Sequence, residues 1–348
     1  MINQRLFDWH GIDTNKDLGM TTFCPRPFDT VLIDSQGSCF LCECAGWLPQ
    51  SVGNLHTAEL EQLLSGAMAN TLRNSIQDGS YRYCNNARCS WLLDKRPETK
   101  VWPTKVPPVS ITNIRLAHDE SCNLACPSCR SHRVAITRGK ALSRKLQLND
   151  RIIRFISQQD HDVRVHIGSD GDPFASLVYR QFMHRSMSLP RVRYSLQTNG
   201  LLTRKLYARF RDVFHRMTEV GVSVDGATKD TYERLRLGGR HSVIMDNLRF
   251  IGELKHRHGF RYVIHFVTQA ANHGEMPQMA ELARDVGADK IWFNRITDWN
   301  TMPDFVTHDV ADPGHPEHAQ FQHSMERLKK VADQMPHRFV EFPTLDNL

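Results

Sequence analysis

No uninterrupted apolar stretch in this sequence approaches the roughly 18–20 residues that a membrane-spanning helix needs. The opening run from Met1 to His10 has no apolar core of the kind a secretory signal carries. Basic residues are scattered without a long run. The net charge of +6 therefore implies a mild bias toward anionic ligands and no case for nucleic acid binding. Internal repeats and low-complexity tracts are lacking as well. These absences lead us to expect a cytoplasmic protein with neither a membrane nor a nucleic acid partner. Bulk composition is ordinary, 40% hydrophobic and 24% charged over 348 residues. That is enough chain for two full cores or one large barrel.

Cysteine is what the chain does have. Nine cysteines in a chain of cytosolic character argue against a disulfide framework and for metal or redox chemistry. Three of them, Cys122, Cys126 and Cys129, fall in Ser121-Cys-Asn-Leu-Ala-Cys-Pro-Ser-Cys-Arg130. One short loop thus offers three soft thiolates, which select iron–sulfur clusters or zinc. Three ligands are one short of the closed set of four, so a cluster held this way keeps one iron open to a reactant.

The strand candidates after this point are Thr112–Ala117, Val163–Gly168, Val192–Gln197, Val220–Asp225, Tyr262–Thr268 and Lys290–Arg295. Amphipathic stretches lie between them: Leu206, Phe210, Val213 and Met217 share one predicted helical face, as do Ile244, Leu248 and Ile251. Alternation of this kind predicts a parallel α/β sheet, with functional groups at the C-terminal strand ends. Before it, Lys95–Pro108 holds four prolines in fourteen residues and reads as a linker. Earlier still, Thr30–Ile33 and Ser38–Cys42 flank Asp34-Ser-Gln-Gly37 as a hairpin, and Leu60, Leu63, Leu64, Ala67 and Leu72 trace a helix.

The triad spacing resembles the signature of the radical S-adenosylmethionine (SAM) superfamily. The resemblance implies a partial (β/α)6 TIM-type barrel. It also implies a [4Fe–4S] cluster on Cys122, Cys126 and Cys129, and reductive cleavage of bound SAM to a 5'-deoxyadenosyl radical. The segment Gly168-Ser-Asp-Gly-Asp-Pro-Phe174 resembles the Gly-Gly-Glu-Pro motif, putting Gly171, Asp172 and Pro173 beside the methionyl group. The strand ends Gln197-Thr-Asn-Gly200 and Ser223-Val-Asp-Gly226 look like the ribose- and carboxylate-contacting elements. By that likeness Thr198, Asn199, Ser223 and Asp225 join the SAM site, and Arg236 stands where relatives carry an arginine. One departure is Ser128, where relatives have an aromatic residue packing toward adenine.

The N-terminal cysteines carry a second resemblance. Cys24, Gly37 and Cys42 make a C-x12-G-x4-C pattern similar to the opening of SPASM and twitch domains, which attach auxiliary [4Fe–4S] clusters. Cys84 and Cys89 would complete a four-thiolate set with Cys24 and Cys42, with structural zinc as the competing occupant. Cys39 and Cys44 are left over as buried thiols, alternative ligands or donors. The expected organisation is an auxiliary α+β domain over 1–94, linker 95–108, barrel 109–297 and a C-terminal extension 298–348. The extension holds His308, His315, His318 and His323, too irregular for a metal site and read as a surface or substrate-covering segment. A peptide or protein side chain is the first expectation for substrate, and a sugar or other small metabolite the alternative. A flavodoxin or ferredoxin is the expected electron donor. A non-catalytic electron-transfer or scaffold protein is the reading from another class.

Overall fold

The computed structural model describes residues 23–86, 89–93, 107–342 and 345. Residues 1–22 and most of the expected linker, 95–106, lie outside the described residues. The chain divides into two compact units. The first runs to Asp119 and adds Gly139–His166 and Leu189–Val192; the second holds Glu120–Arg138, Ile167–Ser188 and Arg193 onward.

In the first unit, α1 (Arg26–Asp29) leads into β1 (Thr30–Ile33), which pairs antiparallel with β2 (Ser38–Phe40) as the expected hairpin. Asp34 closes the turn, its Oδ1 accepting from the Gln36 amide at 2.9 Å and the Ser38 amide at 2.7 Å. A short β3 (Gly53–Asn54) lies on the far side of β2. The expected helix across Leu60–Leu72 is in fact two, α2 (Leu60–Ser65) and α3 (Ala67–Gln77), because Gly66 between them is extended at φ −68° and ψ 165°. Both still bury their apolar faces, through Leu60, Leu63 and Leu64 on one and Leu72 and Ile76 on the other.

The rest of this unit comprises α4 (Ser90–Leu93), β4 (Asn113–Leu116), α5 (Gly139–Ser157) and β5 (Val163–Ile167). Sheet order is β3-β2-β1-β4-β5, with β1 parallel to β4. All four residues of β1 are buried, the mark of an interior strand covered on both faces. The N-terminal hairpin therefore joins the first strand of the α/β pattern directly.

The second unit follows the expected alternation: α6 (Leu177–Ser186), β6 (Val192–Thr198), α7 (Thr203–Leu206), α8 (Arg211–Phe214), β7 (Met217–Ser223), α9 (Lys229–Leu235), α10 (His241–His258), β8 (Arg261–Thr268), α11 (Met276–Asp285) and β9 (Lys290–Arg295). Strands β6, β7, β8 and β9 are parallel neighbours in that order. All six strand candidates are thus present, and the fold class is α/β with a parallel sheet. One expected helical face is corrected. Phe210 and Val213 are buried as anticipated, but Met217 begins β7, and the segment before it is two short helices joined by a 3-10 turn.

The C-terminal segment contributes α12 (His318–Ala332), which packs on α11 through a face carrying buried Phe321, Met325 and Leu328. It also adds β10 (Val340–Glu341), parallel to β9. Its histidines have separate partners: His315 Nε2 lies 3.0 Å from the Thr307 carbonyl, His318 Nδ1 2.9 Å from that of Val310, and His323 sits beside Glu326.

Candidate functional site

The cysteine triad lies in the second unit, on a loop held by its own backbone. Cys122 N donates to the Val134 carbonyl at 2.9 Å, Ala125 N to that of Leu237 at 3.0 Å, and Cys129 N to that of Cys126 at 2.9 Å. Cys126 is buried, Cys122 half-buried and Cys129 exposed, so the thiols step from the core toward solvent.

Each sulfur has an N–H donor. Leu124 N and Asn199 Nδ2 reach Cys122 Sγ at 3.4 and 3.6 Å, Arg236 Nη1 reaches Cys126 Sγ at 3.9 Å, and Arg130 Nη2 reaches Cys129 Sγ at 3.4 Å. Burial pushes the Cys122 thiol up to about 11 and raises Cys126 as well, against the pull of the Arg236 guanidinium. Without metal the Cys122 and Cys126 thiols are protonated at neutral pH, and metal binding releases their protons.

Asp172 organises the neighbouring loops. Its carboxylate is 2% exposed and accepts four hydrogen bonds. Oδ1 takes the Phe174 and Ala175 amides, both at 3.0 Å; Oδ2 takes Thr198 Oγ1 at 2.7 Å and the Asn199 amide at 3.0 Å. Its own amide donates to the Ser121 carbonyl at 2.9 Å, tying the loop before α6 to the cysteine loop. Phe174 anchors that loop from below, its ring stacked on Phe214 at 6.2 Å. Gly168 starts it at φ +108°, where a Cβ would come within 2.0 Å of the Gln197 carbonyl, so only glycine fits. Thr198 and Asn199 therefore meet Asp172 at one point, while Gly171 and Pro173 flank it in sequence.

Asp225 and Arg236, both expected at the site, form an ion pair at 2.7 Å with side chains 2% and 12% exposed. Asp225 also accepts the Val267 amide at 2.9 Å, and Asn272 Nδ2 donates to its carbonyl at 3.0 Å. The Arg236 Nε is buried without a hydrogen-bond partner. Ser223 Oγ accepts from Gln197 Nε2 at 2.6 Å, so this hydroxyl is engaged along the strand ends.

Arg130 is not among the expected site residues, yet it belongs to the cysteine loop. Besides Cys129 it donates to the carbonyls of Glu120 and Asp170, both at 2.6 Å, and so pins the cysteine loop to the loop after β5. A cation immediately after the third cysteine was the available signal.

In the first unit Cys24, Cys42, Cys84 and Cys89 line one pocket with Arg26, Trp47 and Trp91. Burial pushes Cys24 up to about 11 and Cys42 up to about 12, and raises Cys84, with neighbouring thiols adding to the effect. Cys39 and Cys44 do not line that pocket; Cys39 is fully buried on β2. Among the described residues, no three His, Cys, Asp or Glu side chains converge closely enough to hold a single metal ion. The donor sets nonetheless suit iron–sulfur chemistry: three thiols on one loop in the second unit, and four around one pocket in the first.

A parallel α/β fold bearing a three-thiol loop among polar strand ends defines a class of domain. Residues 118–283 match the family model of the radical SAM superfamily. No curated protein matches the sequence. Among solved structures the chain is similar to Streptococcus suis SuiB bound to S-adenosylmethionine, at 14% identity and TM-score 0.47 over 82% of this chain and 62% of that one. SuiB bound to precursor peptide SuiA aligns at 13% identity and TM-score 0.46, over 79% and 62% of the two chains. Native anSMEcpe with bound AdoMet and Cp18Cys peptide aligns at 19% identity and TM-score 0.38, over 53% and 51%. The chain thus spans about three-fifths of the length of SuiB.

Proposed function

We propose that this protein is a radical SAM enzyme, with Cys122, Cys126 and Cys129 holding the SAM-binding [4Fe–4S] cluster. When bound, the cluster and SAM would together supply one-electron chemistry for hydrogen-atom removal from a substrate. The observation that carries the reading is the three-thiol loop whose every sulfur meets an N–H donor.

The chain's own residues divide the remaining work. Arg130 and Asn199 fix Cys129 and Cys122 relative to the loops after β5 and β6. Arg236, oriented by Asp225, places a cation beside Cys126, and its unpartnered Nε remains available to an anionic ligand group. Asp172 holds Thr198 and Asn199 in place, leaving the Asn199 amide group beside the triad. Gly171, Pro173 and Ser223 complete the SAM-contacting set by their position in the motifs.

The first unit would hold an auxiliary [4Fe–4S] cluster on Cys24, Cys42, Cys84 and Cys89. Four buried thiols around one pocket support it, as does the SPASM-like spacing. An electron-accepting cluster of this kind suits an oxidative modification or crosslink on a peptide or protein side chain, with a flavodoxin- or ferredoxin-like donor. SAM binding tests the central assignment without turnover. Adding SAM to the reduced, iron-loaded chain should change the electron paramagnetic resonance spectrum of the triad's cluster. An unchanged spectrum at saturating SAM would contradict it.

A further inference from the structure

We infer that Arg26 sets the reduction potential of the cluster held by Cys24, Cys42, Cys84 and Cys89. This rests on the auxiliary-cluster reading above and assigns a role to a residue outside the ligand set.

Arg26 starts α1, two residues after Cys24, and lines the four-cysteine pocket. Its guanidinium carbon lies 5.1 Å from the Trp91 ring centre and 5.7 Å from that of Trp47, so two indoles hold the planar group. Nη2 pairs with Glu43 Oε2 at 3.2 Å. Nε and Nη1 are buried with no hydrogen-bond partner. Buried guanidinium donors without acceptors are uncommon and call for a reason. Here the pocket itself supplies one, since Arg26 lines it together with Cys24, Cys42, Cys84 and Cys89.

The physics gives a direction. Four thiolates would bring more negative charge into this buried pocket than the iron–sulfide core of a cluster offsets, and each added electron would bring more. Net charge and hydrogen bonds to the sulfurs are among the determinants of cluster potential. A fixed cation with two spare donors therefore favours the reduced state. Glu43, paired with the same guanidinium, offsets part of that charge. Removing either member of the pair should shift the potential, in opposite senses. A residue that only packs between two tryptophans would not produce that pattern.

The test uses the full chain with Cys122→Ala, Cys126→Ala and Cys129→Ala, so that only the first unit's cluster is read. Iron and sulfide content is measured after anaerobic loading, followed by a redox titration monitored by electron paramagnetic resonance. Arg26→Gln is expected to lower the ratio of reduced to oxidised cluster at fixed applied potential by at least about tenfold, about 59 mV for a one-electron couple. Glu43→Gln is expected to raise that ratio. If Arg26→Gln fails to load iron, the upward shift in Glu43→Gln still decides the matter. Unchanged midpoints in iron-loaded variants overturn the inference alone. A parent chain that takes up no iron, or zinc instead, overturns the auxiliary-cluster reading and the inference with it.

Discussion

Asp172 offers the most direct way to separate architecture from ligand contact. Its carboxylate accepts three amides, from Phe174, Ala175 and Asn199, and the Thr198 hydroxyl, all within 3.0 Å and nearly out of solvent. Asp172→Ala strands the three amide donors, and an unsatisfied buried donor costs about 1–3 kcal/mol, so the loss is at least about 3 kcal/mol. For a unit of this size each kcal/mol moves the thermal midpoint by about 2–4 °C, which makes the expected drop about 6 °C or more. Asp172→Asn keeps two amides satisfied and turns an N–H toward Asn199, for a loss of about 2 kcal/mol. The measurement is the midpoint of the iron-free chain by circular dichroism, where no ligand contributes. A midpoint for Asp172→Ala within 2 °C (about 1 kcal/mol or less) of the parent would refute the reasoning. Reduced SAM affinity would then be the only consequence left to explain.

The other predictions follow from equally local features. Gly168→Ala places a Cβ 2.0 Å from a backbone carbonyl at φ +108°, and should cost about 3 kcal/mol or more in the same melting assay. Arg236→Met leaves Asp225 buried and unpaired, for a loss of about 3–5 kcal/mol. The double variant with Asp225→Leu should recover part of it, and strict additivity of the two single losses would argue against the pair. His118 is fully buried against Asn149 Oδ1 at 2.8 Å, and burial depresses its pKa from the usual 6.5 to about 3. The neutral form is the one that fits, so its contribution is intact above pH 6.5 and is lost as pH falls toward 3. The loss approaches about 1.4 kcal/mol per pH unit, and a His118→Gln chain should show a flatter acid limb in pH-dependent denaturation.

Much of this was legible in the sequence because the signals are local. Spacing alone placed three thiols on one loop, and runs such as Tyr262–Thr268 marked the strands. The Asp34–Gly37 turn identified its hairpin in the same way. What escaped depends on partners distant in sequence. Nothing local says that β1 pairs with β4, although four consecutive buried residues in Thr30–Ile33 hint at an interior strand. Met217 fits a helical period, yet it begins a strand beside β6. Asp225 and Arg236 were each expected to face a ligand, but their ion pair depends on how α9 and the turn after β7 come together. Arg130 sits in plain view after Cys129, and its role appears only with the Glu120 and Asp170 carbonyls in place.

The central claim is tested by one anaerobic assay. The chain is loaded with iron and sulfide, reduced with dithionite and given SAM, and 5'-deoxyadenosine is quantified against a Cys126→Ala variant. Radical SAM chemistry predicts product from the parent chain and none from the variant. Equal amounts from both, or none from a parent chain with a full iron load and SAM bound, would contradict it.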